Sequence, residues 1–368
     1  MLFNVERIHF LKELQYIQGI IEQKNTIPIL ANLLLQADKK GIKITATDLE
    51  VGLKSSCKAE VEKEGAITVA AKKLYEIVRL LPESKIMVEQ TDERVSITCD
   101  QSYFKINSLP IEDFPALPSY NFKKALKIPA AAFKELIRRT FSSIPLEDTR
   151  YALLGAFFLT DGQSFRMVST DTHRLAYMEK KDPEKKAMEQ QTVIIPRKTL
   201  NEIRALLDEK VETVLFARDS NHIFFDIGGR VLISRVLEGE FPSYEKVLPA
   251  KYDKEIILER EEMLMAIKRV ALLSSERSHA VNMDIKGSEL TVSSSNPQIG
   301  EAKETLQIEY TGAEVEVRYN SQYLLDFLGI VDSEKILFAL KGETHQCIMQ
   351  PVGEKDTDYR YVLMPMRF

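Results

Sequence analysis

The sequence is poor in the residues that metal and redox chemistry need. Its three cysteines, Cys57, Cys99 and Cys347, are odd in number, far apart and free of any Cys-x-x-Cys pair. That excludes a disulfide framework and a structural zinc site, and reduced, buried thiols are expected. The five histidines (His9, His173, His222, His279 and His345) are scattered without a His-Glu-x-x-His spacing, so no metal and no cofactor are expected. No Gly-rich phosphate loop ending in Lys-Ser or Lys-Thr is present, which argues against ATP hydrolysis by the chain itself. No apolar run reaches the ~18 to 20 residues of a membrane helix, and "MLFNVERIHF" lacks the layout of a secretion signal; a cytoplasmic protein with no membrane partner is expected. Apolar residues make up 44% and charged residues 29% of the 368, a globular composition for a chain long enough for two or three domains.

What the sequence has instead is a repeat. "ITVAAKKLYEIVRLL" (67–81) and "VIIPRKTLNEIRALL" (193–207) both run from a β-rich stretch through a basic pair into an amphipathic helix, 126 residues apart from Leu74 to Leu200. "VEVRYNSQYLLDFL" (315–328) places Leu324 another 124 residues on, with Asn320 and Ser321 in place of the basic pair. "TATDLEVGL" (45–53), "VSTDTHRLA" (168–176) and, more faintly, "VSSSNPQIG" (292–300) repeat upstream; "LPIEDFPALP" (109–118) answers "LEGEFPSYEKVLP" (237–249). Each unit opens with a helix carrying apolar residues at three- and four-residue spacing: Ile8, Leu11, Leu14, Ile17 and Ile21; Phe133, Ile137 and Phe141; Leu264, Ile267 and Ala271. Alternating stretches such as "RVSITCD", "HIFFDIG" and "KILFAL" read as half-buried strands. The expected fold is α+β: three tandem domains of similar topology at 1–122, 123–250 and 251–368, each with two helices packed on antiparallel sheets.

The net charge of −5 argues against a protein that coats nucleic acid, but the charge is partitioned. The six expected helices total +6, leaving −11 elsewhere. Positive helices with an acidic periphery suit a protein that sits around a polyanion while its outside repels nonspecific contact. With no aromatic interleaving and no groove-reading Arg or Asn cluster on those helices, contact with DNA is expected at phosphates and blind to sequence.

Together "NTIPILANLLL", "TATDLEVGL", "STDTHRLA", "EFPSYEKVLP" and "YVLMPMRF", in this order over the whole chain, resemble the beta subunit family of bacterial DNA polymerase III, the sliding clamps. The resemblance implies a ring-shaped, head-to-tail homodimer of six clamp domains, with helices lining a hole for duplex DNA. About +12 would then lie inside a dimer of net charge −10. It implies a processivity factor without catalysis. Its partners would be double-stranded DNA, the DNA polymerase III alpha subunit, the clamp-loader complex, and other polymerases and repair proteins. These would dock a short extended peptide with Gln, Leu and an aromatic residue into a cleft of Leu153, Thr170, Thr172, His173, Arg174, Leu175, Pro242, Lys246, Val247, Asn320, Tyr323, Gln346, Val362, Met364, Pro365, Met366 and Arg367. Arg174, Lys246 and Arg367 would rim it. Thr172 stands where the family usually has Gly and Lys246 where Arg is common, so backbone angle and forked hydrogen bonding at the cleft differ. The resemblance further implies phosphate contact by Lys24, Lys72, Lys73, Arg79, Arg138, Arg197, Lys198 and Arg204. It places the subunit contact at Phe104 and Ile106 of one copy against Leu272 and Leu273 of the other.

Two rivals compete. Ser169, Asp171 and His173 alternate as a hydrolase triad could not, since neighbours two apart on a strand point side by side rather than at one another. A sequence-independent DNA-coating protein would use the same basic helices but would bind linear DNA tightly with a steep salt dependence.

Overall fold

The computed structural model describes residues 1–21, 27–182, 190–208, 210–248 and 252–367. The architecture is α+β with antiparallel pairing throughout, as the alternating stretches predict. Six α-helices are described: α1 (Arg7–Gln18), α2 (Ala71–Leu80), α3 (Ala130–Thr140), α4 (Arg197–Leu206), α5 (Arg260–Ala271) and α6 (Ser321–Leu328). Their ends follow from sequence. Pro129 and Pro196 stand just before α3 and α4, Pro82 follows α2, and Gly329 follows α6. Asn320 caps α6, accepting from the Gln322 and Tyr323 N–H groups at 2.9 and 3.4 Å.

The chain divides into two compact units, 1–133 with 198–236 and 134–197 with 237–368. The first holds a five-stranded sheet in the order Glu60–Lys63, Leu2–Glu6, Lys85–Thr91, Arg94–Cys99, Ser102–Asn107. Its other sheet has eight strands, ordered Leu126–Pro129, Thr213–Arg218, His222–Ile227, Arg230–Arg235, Val51–Cys57, Gly41–Thr47, Asn32–Asp38, Gly65–Ala70. The second unit repeats the eight-stranded plan as Gln191–Pro196, Gly155–Thr160, Ser164–Thr170, Arg174–Lys181, Thr357–Leu363, Cys347–Pro351, Lys335–Leu340, Lys254–Glu259. Its remaining four-stranded sheet runs Gly300–Gln307, Glu289–Asn296, Ala280–Lys286, Val315–Asn320.

The repeat is visible in the register. Stepping sideways from the residue four before each first helix gives Phe3, Val88, Ile97, Phe104; then Leu126, Phe216, Phe225, Leu232; then Ile256, Phe338, Met349, Tyr361. Stepping from the residue three before each second helix gives Thr68, Leu34, Thr45, Lys54; Ile194, Phe157, Val168, Tyr177; Arg318, Asn282, Ser293, Lys303. Each step lands on the equivalent residue, so the three copies share one hydrogen-bonding frame.

Apolar faces of helices and sheets meet in the core. Leu74 and Val78 of α2, Phe133, Leu136 and Ile137 of α3, and Leu324, Phe327 and Leu328 of α6 are fully buried, each worth about 1.5–3 kcal/mol relative to exposure. The face expected for α1 needs correction: Ile8 is 66% exposed, while Phe10, Leu14 and Ile17 are buried together with Glu13. Glu13 is tolerated there because Arg230 donates Nε and Nη2 to its carboxylate at 2.8 and 2.5 Å. The three cysteines are buried and free, as expected, and burial pushes the Cys57 and Cys347 thiols up to about 11 and about 12. Among the described residues no helix is long and apolar enough to cross a membrane.

Candidate functional site

The motif "STDTHRLA" folds as a tight turn between two strands of the second unit. Asp171 Oδ1 accepts the N–H groups of His173 and Arg174 at 3.0 and 2.9 Å. Thr170 Oγ1 donates to the Arg174 carbonyl at 2.6 Å and accepts the Thr172 N–H at 3.0 Å. This closure forces Thr172 to φ +73°, a left-handed conformation that a β-branched residue rarely adopts. Across the turn, Met364 N donates to His173 O and Met366 N to Arg318 O, at 2.9 and 2.8 Å. These two bonds hold the apolar segment after Leu363.

Beside the turn lies a cavity of about 250 Å³ lined by Thr170, Thr172, Leu175, Val362, Met364, Pro242, Val247, Tyr244, Ser243, Arg150 and Arg174. Its floor is the buried cluster of Val168, Leu175, Tyr177, Tyr244 and Val362. Met364 is 41% exposed at its edge. Most of this wall was legible from the motifs. Ser243 and Tyr244 were missed although they lie inside the quoted "EFPSYEKVLP"; Arg150 has no motif to announce it.

Arg174 departs from the rim position expected of it. It is 9% exposed; Nε donates to Asp171 at 3.0 Å, and Nη1 donates to Asp326 at 2.5 Å and to Tyr361 Oη at 3.0 Å. Nη2 donates to the Ser142 carbonyl, and the guanidinium lies 4.1 Å over the Tyr323 ring. Burial works against its charge, but Tyr361, Asp326 and Asp171 outweigh that and hold its pKa above the ordinary arginine value. Arg174 therefore braces the cavity wall instead of offering a free cation. The other expected cleft residues are not among those that line the cavity. Leu153 is buried, Asn320 caps α6, Tyr323 lies under Arg174, and Gln346 donates to the Val247 carbonyl at 3.5 Å. His173, Lys246 and Arg367 are exposed, and Pro365 and Met366 half-buried.

The expected phosphate-contacting residues divide by surroundings. Lys72, Lys73, Arg79 and Arg204 are exposed; Lys73 pairs with Glu76 at 2.8 Å and Arg79 lies 5.7 Å from the Tyr75 ring centre. Lys72 and Arg79 join Gln18, Tyr75 and Glu76 around an open cavity of about 440 Å³ on α2. Arg138 is committed to Glu135, to Asp332 at 2.7 Å and to the Ile330 carbonyl at 2.6 Å. Arg197 donates to the Phe141 carbonyl at 3.1 Å and lies over the Phe141 ring at 4.3 Å, and Lys198 pairs with the buried Asp48. Lys24 lies outside the described residues. Of the expected subunit-contact residues, Phe104 is 37% exposed and Ile106 half-buried on the edge strand Ser102–Asn107, while Leu272 is 78% exposed and Leu273 half-buried just after α5.

Comparison with known proteins agrees along the whole chain. The models of the N-terminal, central and C-terminal domains of the DNA polymerase III beta subunit match residues 1–118, 127–243 and 245–367. The beta sliding clamps of Pseudomonas aeruginosa and Escherichia coli (strain K12) are 33% and 34% identical over 369 residues, with 100% of both chains covered. Among solved structures, the sliding clamps of Pseudomonas aeruginosa and Bartonella birtlesii, both bound to griselimycin, superpose with a TM-score of 0.94 at 32% and 34% identity, covering 100% of each chain.

Proposed function

The chain belongs to the DNA polymerase III beta subunit family and is a DNA sliding clamp, a processivity factor rather than an enzyme, and from that premise we propose that two copies close head to tail into a ring around duplex DNA. The clamp domains divide at 1–122, 123–250 and 251–368. Phe104 and Ile106 of one copy meet Leu272 and Leu273 of the other, which removes exposed apolar surface and two open sheet edges together. Retention is topological, so phosphate contacts stay weak enough for sliding. Lys72, Lys73, Arg79 and Arg204 make them directly; Arg138, Arg197 and Lys198 add to the local field from their ion pairs and hydrogen bonds. Lys24 is a further candidate for phosphate contact. The ring works in the cytoplasm and needs no cofactor.

The cavity beside Thr170–Arg174 is the docking site for a short peptide of the polymerase alpha subunit, the clamp loader, and other polymerases and repair proteins. The observation that carries this reading is a strained, fully bonded turn walling an apolar cavity whose edge is a half-exposed methionine. A preformed apolar cavity with an adaptable thioether suits several related peptides. Leu153, His173, Lys246, Asn320, Tyr323, Gln346, Pro365, Met366 and Arg367 extend the site around it. The test is a fluorescent peptide carrying Gln, Leu and Phe. Met364→Ala with Met366→Ala is expected to weaken it about tenfold and to remove polymerase stimulation while the dimer persists. Unchanged peptide affinity and stimulation would remove the cleft from the account.

A further inference from the structure

Gln18, Ile21, Lys72, Tyr75, Glu76 and Arg79 of the first unit line an open cavity of about 440 Å³, within the roughly 300–1,000 Å³ of cavities that hold a small molecule. Tyr75 and Arg79 follow Lys72 by three and seven residues on α2, so the three side chains share one helix face. The expectation of helices without interleaved aromatics fails here. A half-buried ring stands between two exposed cations, with the Arg79 guanidinium 5.7 Å from its centre.

The frame shared by the three copies shows that the fold does not require this set. Asn201 and Leu325 hold the place of Tyr75 in the second and third copies, and Ala205 and Gly329 that of Arg79. In the second copy Arg197 also donates to the Phe141 and Ile144 carbonyls and lies 4.3 Å over the Phe141 ring. Phe141 and Ile144 are the equivalents of Gln18 and Ile21, so a guanidinium fills that copy's version of the space. The counterpart of Arg197 is Ala71, too short to reach, and in the first copy the space stays open.

We propose that this cavity takes a single nucleotide whose base is unpaired, the base against the Tyr75 ring and Ile21 and the phosphate between Lys72 and Arg79. Each wall suits one part of that ligand. An aromatic face stacks on any base, and two cations neutralise a phosphate. Gln18, its amide held by the Leu14 and Ala71 carbonyls at 3.3 Å, and Glu76, held by Lys73 at 2.8 Å, supply fixed polar groups for the base edge. A carboxylate only accepts, which favours a base with an exocyclic amino group such as cytosine. A paired base cannot enter, because the duplex occupies its edge and both its faces. The nucleotide comes either from the DNA that these helices surround, which rests on the ring reading above, or from the free pool.

The test is binding of the full chain to short duplexes, followed by fluorescence anisotropy, with thermal unfolding checking that each variant folds. One duplex carries a single unpaired dC and the other an abasic site at the same position, so the backbones match and only the base differs. Wild type is expected to bind the dC duplex about fivefold more tightly. Tyr75→Asn, which imports the second copy's residue, is expected to bring that ratio to about one, and Tyr75→Phe to keep it. Saturation-transfer NMR with dCMP separates the sources. A dC preference without a dCMP signal assigns the cavity to DNA; a dCMP signal that Tyr75→Asn abolishes, without a dC preference, assigns it to free nucleotides. Equal affinity of wild type for the two duplexes together with no dCMP signal overturns the proposal, as does a preference that survives Tyr75→Asn. Loss of wild type from an intact nicked circle removes the ring reading instead, and with it the DNA source.

Discussion

The turn at Thr47–Val51 and the turn at Thr170–Arg174 are one piece of backbone built twice, and the second stands beside a peptide-sized cavity. In the first, Asp48 Oδ1 accepts the Glu50 and Val51 N–H groups, Thr47 Oγ1 donates to the Val51 carbonyl, and Leu49 sits at φ +79°. Every element matches its counterpart around Asp171. The difference lies one residue further on. Gly52 makes room for Leu117: a Cβ there would lie 2.8 and 2.9 Å from the Leu117 methyls. The chain's own connecting segment therefore covers the first turn. At the second, Leu175 takes the place of Gly52, and Tyr244 of the connecting segment rests against Tyr177 and Phe157, leaving a cavity beside Leu175. The first turn also uses Lys198 for Asp48, with the buried Glu202 nearby. The second uses Arg174 to satisfy both Asp171 and Asp326. A guanidinium fork serves two carboxylates; an ammonium serves one well.

That contrast can be broken by experiment. The largest effect is expected from Arg174→Met, which leaves two carboxylates without their cation and costs about 3–5 kcal/mol in urea unfolding. Lys198→Met should cost less, about 2 kcal/mol, because one close carboxylate is abandoned rather than two; equal costs would erase the distinction. Next is Leu117→Ala, at about 2 kcal/mol by the same measurement, from the cavity it leaves over Gly52.

Glu202 sharpens the comparison through pH. Burial raises its pKa, the neighbouring Asn201 and Lys198 only partly opposing this. A carboxyl whose folded pKa exceeds its unfolded pKa contributes fully below the unfolded value, and that contribution is lost as pH rises through the folded value. Glu202→Gln is therefore expected to stabilise by about 1 kcal/mol at pH 7 and by nothing near pH 4, read from unfolding curves at both. The smallest effect is Thr172→Gly. Relief of the left-handed strain, partly cancelled by glycine's unfolded-state entropy, gives a gain of about 0.5 kcal/mol in unfolding free energy.

The sequence made the repeat and the α+β class legible because both are local patterns, alternation and helical spacing, whereas the cavity wall was legible only through the resemblance of "STDTHRLA", "EFPSYEKVLP" and "YVLMPMRF" to the sliding-clamp family. It misled where a residue's meaning depends on a distant partner. Ile8 and Leu11 fit the α1 pattern as well as Phe10 does, and nothing near Glu13 announces Arg230, which lets a charge occupy the buried face. Arg174 reads as a rim cation until Asp326 and Tyr361 appear beside it. The charge count on the helices was sound as a count, but it could not reveal that Arg138 is committed to Asp332 or Lys198 to Asp48.

The central claim is that the clamp holds DNA by enclosing it. Loaded onto a nicked circle and passed through a sizing column at moderate salt, it is expected to stay with the DNA, and to leave rapidly once the circle is cut by a restriction enzyme. Continued retention on the linear product, or failure to stay on the intact circle, would contradict enclosure.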